Sequence, residues 1–441
     1  MKNVAEIKRS IGLSGAVFTL VGFTVGVSIY ILPGQLAANA GPGVVLSFII
    51  AALMASLSCL VAAQIGSIFP TSGASLVVIS KLLSPFLGFA QTWLLLGTAS
   101  VGTAFLAYGL ADYLALMVPG LDRKTVAVLA ILSFGGVNLL GARASVAVQG
   151  LMVITFIVAL IIFVTAGLFK LDASLLVPFM PNGFSAVLAA AIPAYFSWTG
   201  FMVIIEIGGE VRDPGRNIPL ALLISFVIVL LIYTAVTIVL VGVMPWYELG
   251  ANNASVGQAA GLILPAALAK FIGLTAILAA ATSINALLLA YSRDVLALAR
   301  AGMFPRVFAG ISPTHGEPVG GVVLLTTMAV VAAAIGASIL QYVIIVVMAV
   351  MLLQILLAVA AIRIPTVMPE EYKRSRFKIN NGPLKLCAVA LIVGSTMFLF
   401  IGILEDSGAA LMALVYVAVG VVYYQLGPAR KGKVSVERIQ S

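Results

Sequence analysis

Apolar runs constrain this chain more than any other feature. From residue 11 to residue 426 they follow one another with only short polar breaks. Most exceed the roughly 20 residues that a helix needs to cross a bilayer's hydrocarbon. The runs predict twelve helices, near 11–38, 43–68, 85–118, 125–141, 147–169, 186–208, 218–244, 267–299, 319–336, 339–362, 384–404 and 409–426. Only 9% of the 441 residues are charged and 62% are hydrophobic, a balance that a water-soluble surface cannot accommodate. The expected class is an all-α polytopic membrane protein embedded in the lipid bilayer. The opening MKNVAEIKRS is short and polar, and the run after it is too long for a signal-peptide core, so no cleaved leader is expected. Cys59 and Cys387 lie far apart and there is one histidine, so neither a disulfide nor a Cys/His metal site is expected. No cofactor is called for.

The net charge of +9 has a membrane explanation. With the N-terminus placed inside, all but four of the 24 Lys and Arg residues fall on the cytoplasmic side; the exceptions are Arg123, Lys124, Lys170 and Lys270. That bias predicts two cytoplasmic termini, an even helix number and a multi-pass cell (inner) membrane protein. It also removes any need for a nucleic-acid partner. The basic run YKRSRFK at 372–378 is then cytoplasmic, with anionic-lipid contact as a secondary role.

The first predicted helix contains GFTVGVSIYILPG over residues 22–34. Glycine and proline weaken helices, and in lipid the freed backbone groups need protein or a water-lined cavity. The sixth helix carries SWTGF, Ser197 to Phe201, at mid-span. Two interrupted helices five apart, in halves of opposite topology, are a pointer to a transporter's binding site. Close packing of small residues explains the same glycines equally well.

Five motifs occur in order: GFTVGVSIYILPG, FPTSGAS at 69–75, NLLGARASVAVQ at 138–149, GGEVRDPGRNIP at 208–219 and SRDVLALARAGMFP at 292–305. On these, the chain resembles the amino acid–polyamine–organocation permeases over nearly its whole length. The resemblance implies a leucine-transporter-like fold of five plus five inverted helices and two C-terminal helices. The units would be residues 1–180, 181–365 and 366–441. It implies a secondary transporter or exchanger of amino acids working by alternating access, not an enzyme, with a cationic amino acid, polyamine or other organic amine as the alternative substrate. A channel or membrane-embedded enzyme is a remote alternative. One histidine and few buried acids argue against the enzyme, and no selectivity loop or charge ring marks a channel.

The resemblance also implies the site. Freed amides at Gly26, Val27, Ser28 and Ile29 would bind a substrate carboxylate. Freed carbonyls at Phe196, Ser197, Trp198, Thr199 and Gly200 would face its ammonium. A half-helix N-terminus suits an anion on physical grounds alone. Ser28 would add a hydrogen bond to the carboxylate or bond back to its own helix. Phe196 and Trp198 are the gating candidates, with core packing as the alternative. Gly102, Thr103, Tyr108, Ser283 and Asn285 would line the cavity or bond between helices.

Three departures from the family pattern matter. Met202 stands where the sixth helix usually carries an acid, which favours a neutral substrate. Glu206 stands one turn later and is the candidate for proton coupling; it could instead contact a cationic part of the substrate or pair with Arg212. The fifth-helix lysine of proton-coupled relatives falls on Phe156, so that mechanism does not carry over. Glu210 is expected to be structural, Asp112 solvated near the outer end of its helix, and His315 a surface-loop residue.

Overall fold

In the computed structural model the residues described are Arg9, 11–71, 74–139, 146–251, 253–312 and 317–427. His315 and part of the 138–149 motif lie outside them. The described residues contain eighteen α-helices and no strand; a single parallel bridge joins Ile11 and Val211. In chain order the helices are α1 (Leu13–Val25), α2 (Ser28–Ala40), α3 (Val44–Ile68), α4 (Ala74–Leu82), α5 (Pro85–Met117) and α6 (Arg123–Leu139). Next come α7 (Val146–Leu168), α8 (Gly183–Tyr195), α9 (Val203–Glu206), α10 (Pro214–Val243), α11 (Trp246–Leu249) and α12 (Ser255–Ile263). The series ends with α13 (Ala266–Arg300), α14 (Val319–Ile335), α15 (Ile339–Val367), α16 (Pro369–Arg374), α17 (Asn381–Glu405) and α18 (Ser407–Leu426).

Nine stretches among the described residues are long and apolar enough to cross a membrane. One of them, Leu13–Ile68, runs 56 residues and contains α1, α2 and α3. The expectation of twelve spans goes further than this, because α6 and α14 are 17 residues each, short of the usual crossing length. The chain is nonetheless a multi-pass membrane protein. Its peripheral helices α17 and α18 expose Leu386, Val393, Phe400, Leu404, Leu411 and Leu414. Such an apolar exterior suits lipid, which leaves the polar contacts for the interior.

Local chemistry ends the helices where the sequence breaks. Ser84 caps α5 by accepting from the Leu87 amide at 3.2 Å, with Pro85 at the first helical position. Ser338 and Gln341 form a reciprocal capping box at the start of α15. Gly336 takes a left-handed conformation, φ 74°, just past α14.

The central helix is α5, which packs against α13, α15, α14 and α4; α13 also packs on α14, and α15 on α4. α1 packs against α10 and against the tight 3-10 segment Phe196–Met202 between α8 and α9. Polar crosslinks complete the core. The Asn138 amide donates to Asn285 Oδ1 at 2.9 Å, and Tyr113 Oη donates to the Tyr30 carbonyl at 2.8 Å. At the end where α1 begins, the Ile11 amide donates to the Glu210 carbonyl at 3.0 Å and the Arg212 amide to the Ile11 carbonyl at 2.8 Å. Glu210 therefore serves this clasp through its backbone.

Asp112 departs from the expectation of a solvated residue. Its carboxylate takes a bidentate pair from Arg123, Nε at 2.5 Å and a terminal nitrogen at 2.9 Å. The Arg123 guanidinium also lies 4.6 Å from the centre of the Tyr108 ring. The planar guanidinium fork matches a carboxylate, and its face matches an aromatic ring.

Candidate functional site

The site begins with a break in the first span. α1 ends at Val25, and Gly26 takes φ 42° and ψ −152°, outside the range open to most L-residues. α2 restarts at Ser28, and its first amide with a backbone acceptor is Tyr30, which donates to the Val27 carbonyl at 3.0 Å. The amides of Val27, Ser28 and Ile29 have no acceptor among the described residues. They are the free donors at the N-terminus of a half-helix, where a negative charge is favoured.

The second interruption differs in kind from the first. Phe196–Met202 tightens into a 3-10 helix instead of opening. The Gly200 and Phe201 carbonyls accept from the Val203 amide, and the Phe196 carbonyl accepts from the Thr199 hydroxyl at 2.8 Å. A 3-10 turn keeps backbone groups paired where water is absent, so fewer carbonyls are free than the resemblance implied. Gly200 brings this segment against α1. A Cβ there would lie 2.6 Å from the Thr24 Cα.

Between the two interruptions lies a cleft with about 910 Å³ of empty space, its open mouth included. Gly26, Ser28, Gly102, Phe196, Thr199, Ser283 and Glu206 line it, as does Met202. The other expected site residues stand behind that wall. Val27 and Ile29 are buried. Ser197 is also buried, and Trp198 packs against Phe226 and Tyr233 at ring separations of 5.3 and 5.8 Å. Thr103 donates to the Ala99 carbonyl at 2.7 Å, Asn285 is held by Asn138, and Tyr108 Oη donates to the Ala333 carbonyl at 2.7 Å. For these last three, bonding within or between helices describes their positions. Phe196 lines the cleft and meets the Phe105 ring in an edge-on contact, centroids 4.6 Å apart. Phe156 is buried and brings no charge.

Ser28 has its hydroxyl engaged. Oγ donates to the Val25 carbonyl at 2.9 Å and lies 2.7 Å from Tyr233 Oη. A hydroxyl has one proton, so with the Val25 bond made it can only accept. Ser28→Ala is therefore expected to destabilise the protein by about 1 kcal/mol through the lost bond to Tyr233. Thermal unfolding in detergent checks this; an unchanged midpoint would show that the Tyr233 bond contributes nothing.

Among the described residues that line the cleft, Glu206 is the only Asp, Glu, Lys or Arg. It closes α9 and accepts a hydrogen bond through Oε1 from Ser75, in the first turn of α4. Its Oε2 has no partner. None of the described ion pairs includes it, and Arg212 donates instead to the Arg9 carbonyl at 3.2 Å. The sequence reading did not single out Ser75, Thr24, Gln91 or Gln354, yet all four line the cleft. Ser75 falls within the FPTSGAS motif, and the two glutamines are isolated amides in long apolar helices; those were the available signals. Buried polar atoms without partners cost about 1–3 kcal/mol each. Thr24 Oγ1, Ser283 Oγ, Gln91 Oε1, Glu206 Oε2 and both amide atoms of Gln354 are all in that condition. All six belong to residues that line this cleft, and a few convergent polar groups in a mostly apolar wall are how a ligand site is built.

Helical spans and an internal cleft with unpaired polar groups beside a broken helix define a polytopic membrane protein. The chain belongs to the amino acid permease family, whose model matches residues 11–424. It is 29% identical over 334 residues to cationic amino acid transporter 9, chloroplastic, of Arabidopsis thaliana, covering 70% of this chain and 58% of that protein. It is 26% identical over 348 residues to the branched-chain amino acid permease BcaP of Bacillus subtilis, covering 74% of each. It is 26% identical over 317 residues to the methylthioribose transporter of the same species, covering 68% of each. The chain spans only 58% and 54% of the length of the first two plant relatives.

Proposed function

We propose that this protein is a secondary transporter of amino acids that works by alternating access, in a cell membrane with both termini cytoplasmic. The observation that carries the reading is the broken first span. Its unpaired amides open α2, and Gly26 and Ser28 of this break line the cleft, which offers a carboxylate site inside an apolar bundle. The substrate's ammonium meets the Ser283 and Thr24 hydroxyl oxygens, which lack partners and line the same cleft. Phe196 closes over the bound substrate. The inverted repeats, 1–180 and 181–365, supply the two halves that rock about the site, and the family relatives named for amino acids support the substrate class.

Counterflow in proteoliposomes tests this. Vesicles loaded with an unlabelled amino acid are expected to accumulate the same labelled amino acid, and control vesicles are not. Absence of accumulation across all proteinogenic amino acids would overturn the reading.

Glu206 is the coupling residue in this scheme. A carboxyl in a membrane with no basic partner takes up a proton or meets a cation. Glu206→Gln is expected to flatten the pH dependence of uptake while leaving exchange measurable. A pH profile identical to wild type would remove that role.

A further inference from the structure

The unpartnered polar atoms of the cleft come from two sets of elements. Thr24 and Ser283 belong to the region of the break, where a Cβ on Gly26 would lie 2.9 Å from Ser283 Oγ. Glu206, Gln91 and Gln354 come from three separate elements, α9, α5 and α15. Gln91 and Gln354 are each 1% exposed and Glu206 9%. The second group is rich in acceptors. Glu206 Oε2, Gln91 Oε1 and Gln354 Oε1 are all fully buried and unpaired, against one such donor, Gln354 Nε2. A branched-chain or aromatic side chain would satisfy none of them.

We infer that Glu206, Gln91 and Gln354 form a side-chain subsite that selects amino acids ending in a cationic, multi-donor group, an ammonium or guanidinium. The inference rests on the transport reading above and names its substrate class.

Three observations support it. No Lys or Arg lines the cleft, so the Glu206 charge has no protein counterion there. Ser75 donates to Oε1 from the first turn of α4, which holds the carboxyl in place while Oε2 stays without a partner. The spacing also fits. Three residue steps of 3-10 rise and three of α rise separate Gly200 from Glu206, roughly 10 Å along the axis. An extended lysine side chain places its nitrogen about 6 Å from Cα, and a hydrogen bond to the carboxylate covers most of the remainder. A side chain two carbons shorter leaves the acceptors unmet. Met202 lines the cleft between the break and Glu206, and its apolar thioether suits the methylene stem of such a substrate. This replaces the neutral preference drawn from Met202 alone. A carboxyl that holds either a proton or the substrate's cation makes the two compete, so the coupling role of Glu206 is compatible with the subsite.

The test is equilibrium binding to the purified full chain of L-lysine, L-ornithine, L-2,4-diaminobutyrate and L-norleucine, which lacks the terminal nitrogen. Wild-type protein is expected to bind lysine at least tenfold tighter than norleucine, with affinity falling as the chain shortens. Glu206→Gln is expected to bring lysine down to the norleucine affinity. Gln354→Met is expected to weaken lysine several-fold and leave norleucine unchanged. The homologue series needs only wild-type protein, so a misfolded variant does not disable the test. Norleucine binding as tightly as lysine would overturn the subsite and leave amino acid transport standing. Lysine affinity unchanged in a folded Glu206→Gln would overturn it equally. Failure of every amino acid to bind would remove the transport reading and the subsite with it.

Discussion

Gly26→Leu is expected to abolish uptake while the protein still inserts and purifies. Two independent costs meet at this residue. Its φ of 42° is open to glycine and strained for leucine, about 1–3 kcal/mol for the backbone alone. Its Cβ would also approach Ser283 Oγ to 2.9 Å, inside the contact distance of ordinary side chains. The remaining carbons of leucine would enter the cleft that Gly26 lines. The expected result is loss of both substrate binding and counterflow. Gly26→Ala carries the backbone strain with far less bulk, so residual binding is expected there. Wild-type uptake by Gly26→Leu would show that the broken segment does not approach the substrate.

Gly200→Val is expected to have a comparable effect by another route. At Gly200 the backbone conformation is ordinary, and the constraint is a neighbour. A Cβ would lie 2.6 Å from the Thr24 Cα and 2.7 Å from the Thr24 amide nitrogen. These are backbone atoms of α1, so they cannot rotate away as a side chain can. The 3-10 segment and α1 must separate, which displaces Phe196 and Thr199 on one wall of the cleft and Thr24 on another. The expected outcome is lost uptake together with a lowered melting temperature. Gly26→Leu differs in placing its bulk inside the cleft. A Gly200→Val protein with wild-type stability and uptake would mean that the contact between the two interrupted spans is dispensable.

These two glycines also mark how far the sequence could be read. Both sit in apolar helices where glycine has no helical purpose, so both could be singled out as breaks or close contacts. Their different roles could not. Gly26 is needed for its φ, and Gly200 for the approach of the Thr24 backbone, and that distinction requires the partner chain segment in place. The same limit applies to the mid-span polar residues. Ser283 and Gly102 line the cleft, whereas Thr103, one residue from Gly102, bonds to its own helix. Successive residues on a helix are separated by about 100°, so a small rotation exchanges a lining residue for a packed one.

The sequence by itself determined the membrane class, the order of the apolar helices, the anomalous glycine at Gly26 and the unusual acid at Glu206. Each follows from short-range chemistry: run length, helix-breaking residues, and the cost of a carboxyl in lipid. Tertiary structure alone decided which polar groups meet. Ser75, Gln91, Glu206 and Gln354 lie on four separate helices, α4, α5, α9 and α15, yet line one cleft. Tertiary structure also turned the second interruption into a closed 3-10 segment and drew the Ser28 hydroxyl to Tyr233. The physical reason is that a polar side chain in an apolar helix must find a partner. Only the packing of the other helices settles whether that partner is its own backbone, a neighbouring helix or the substrate.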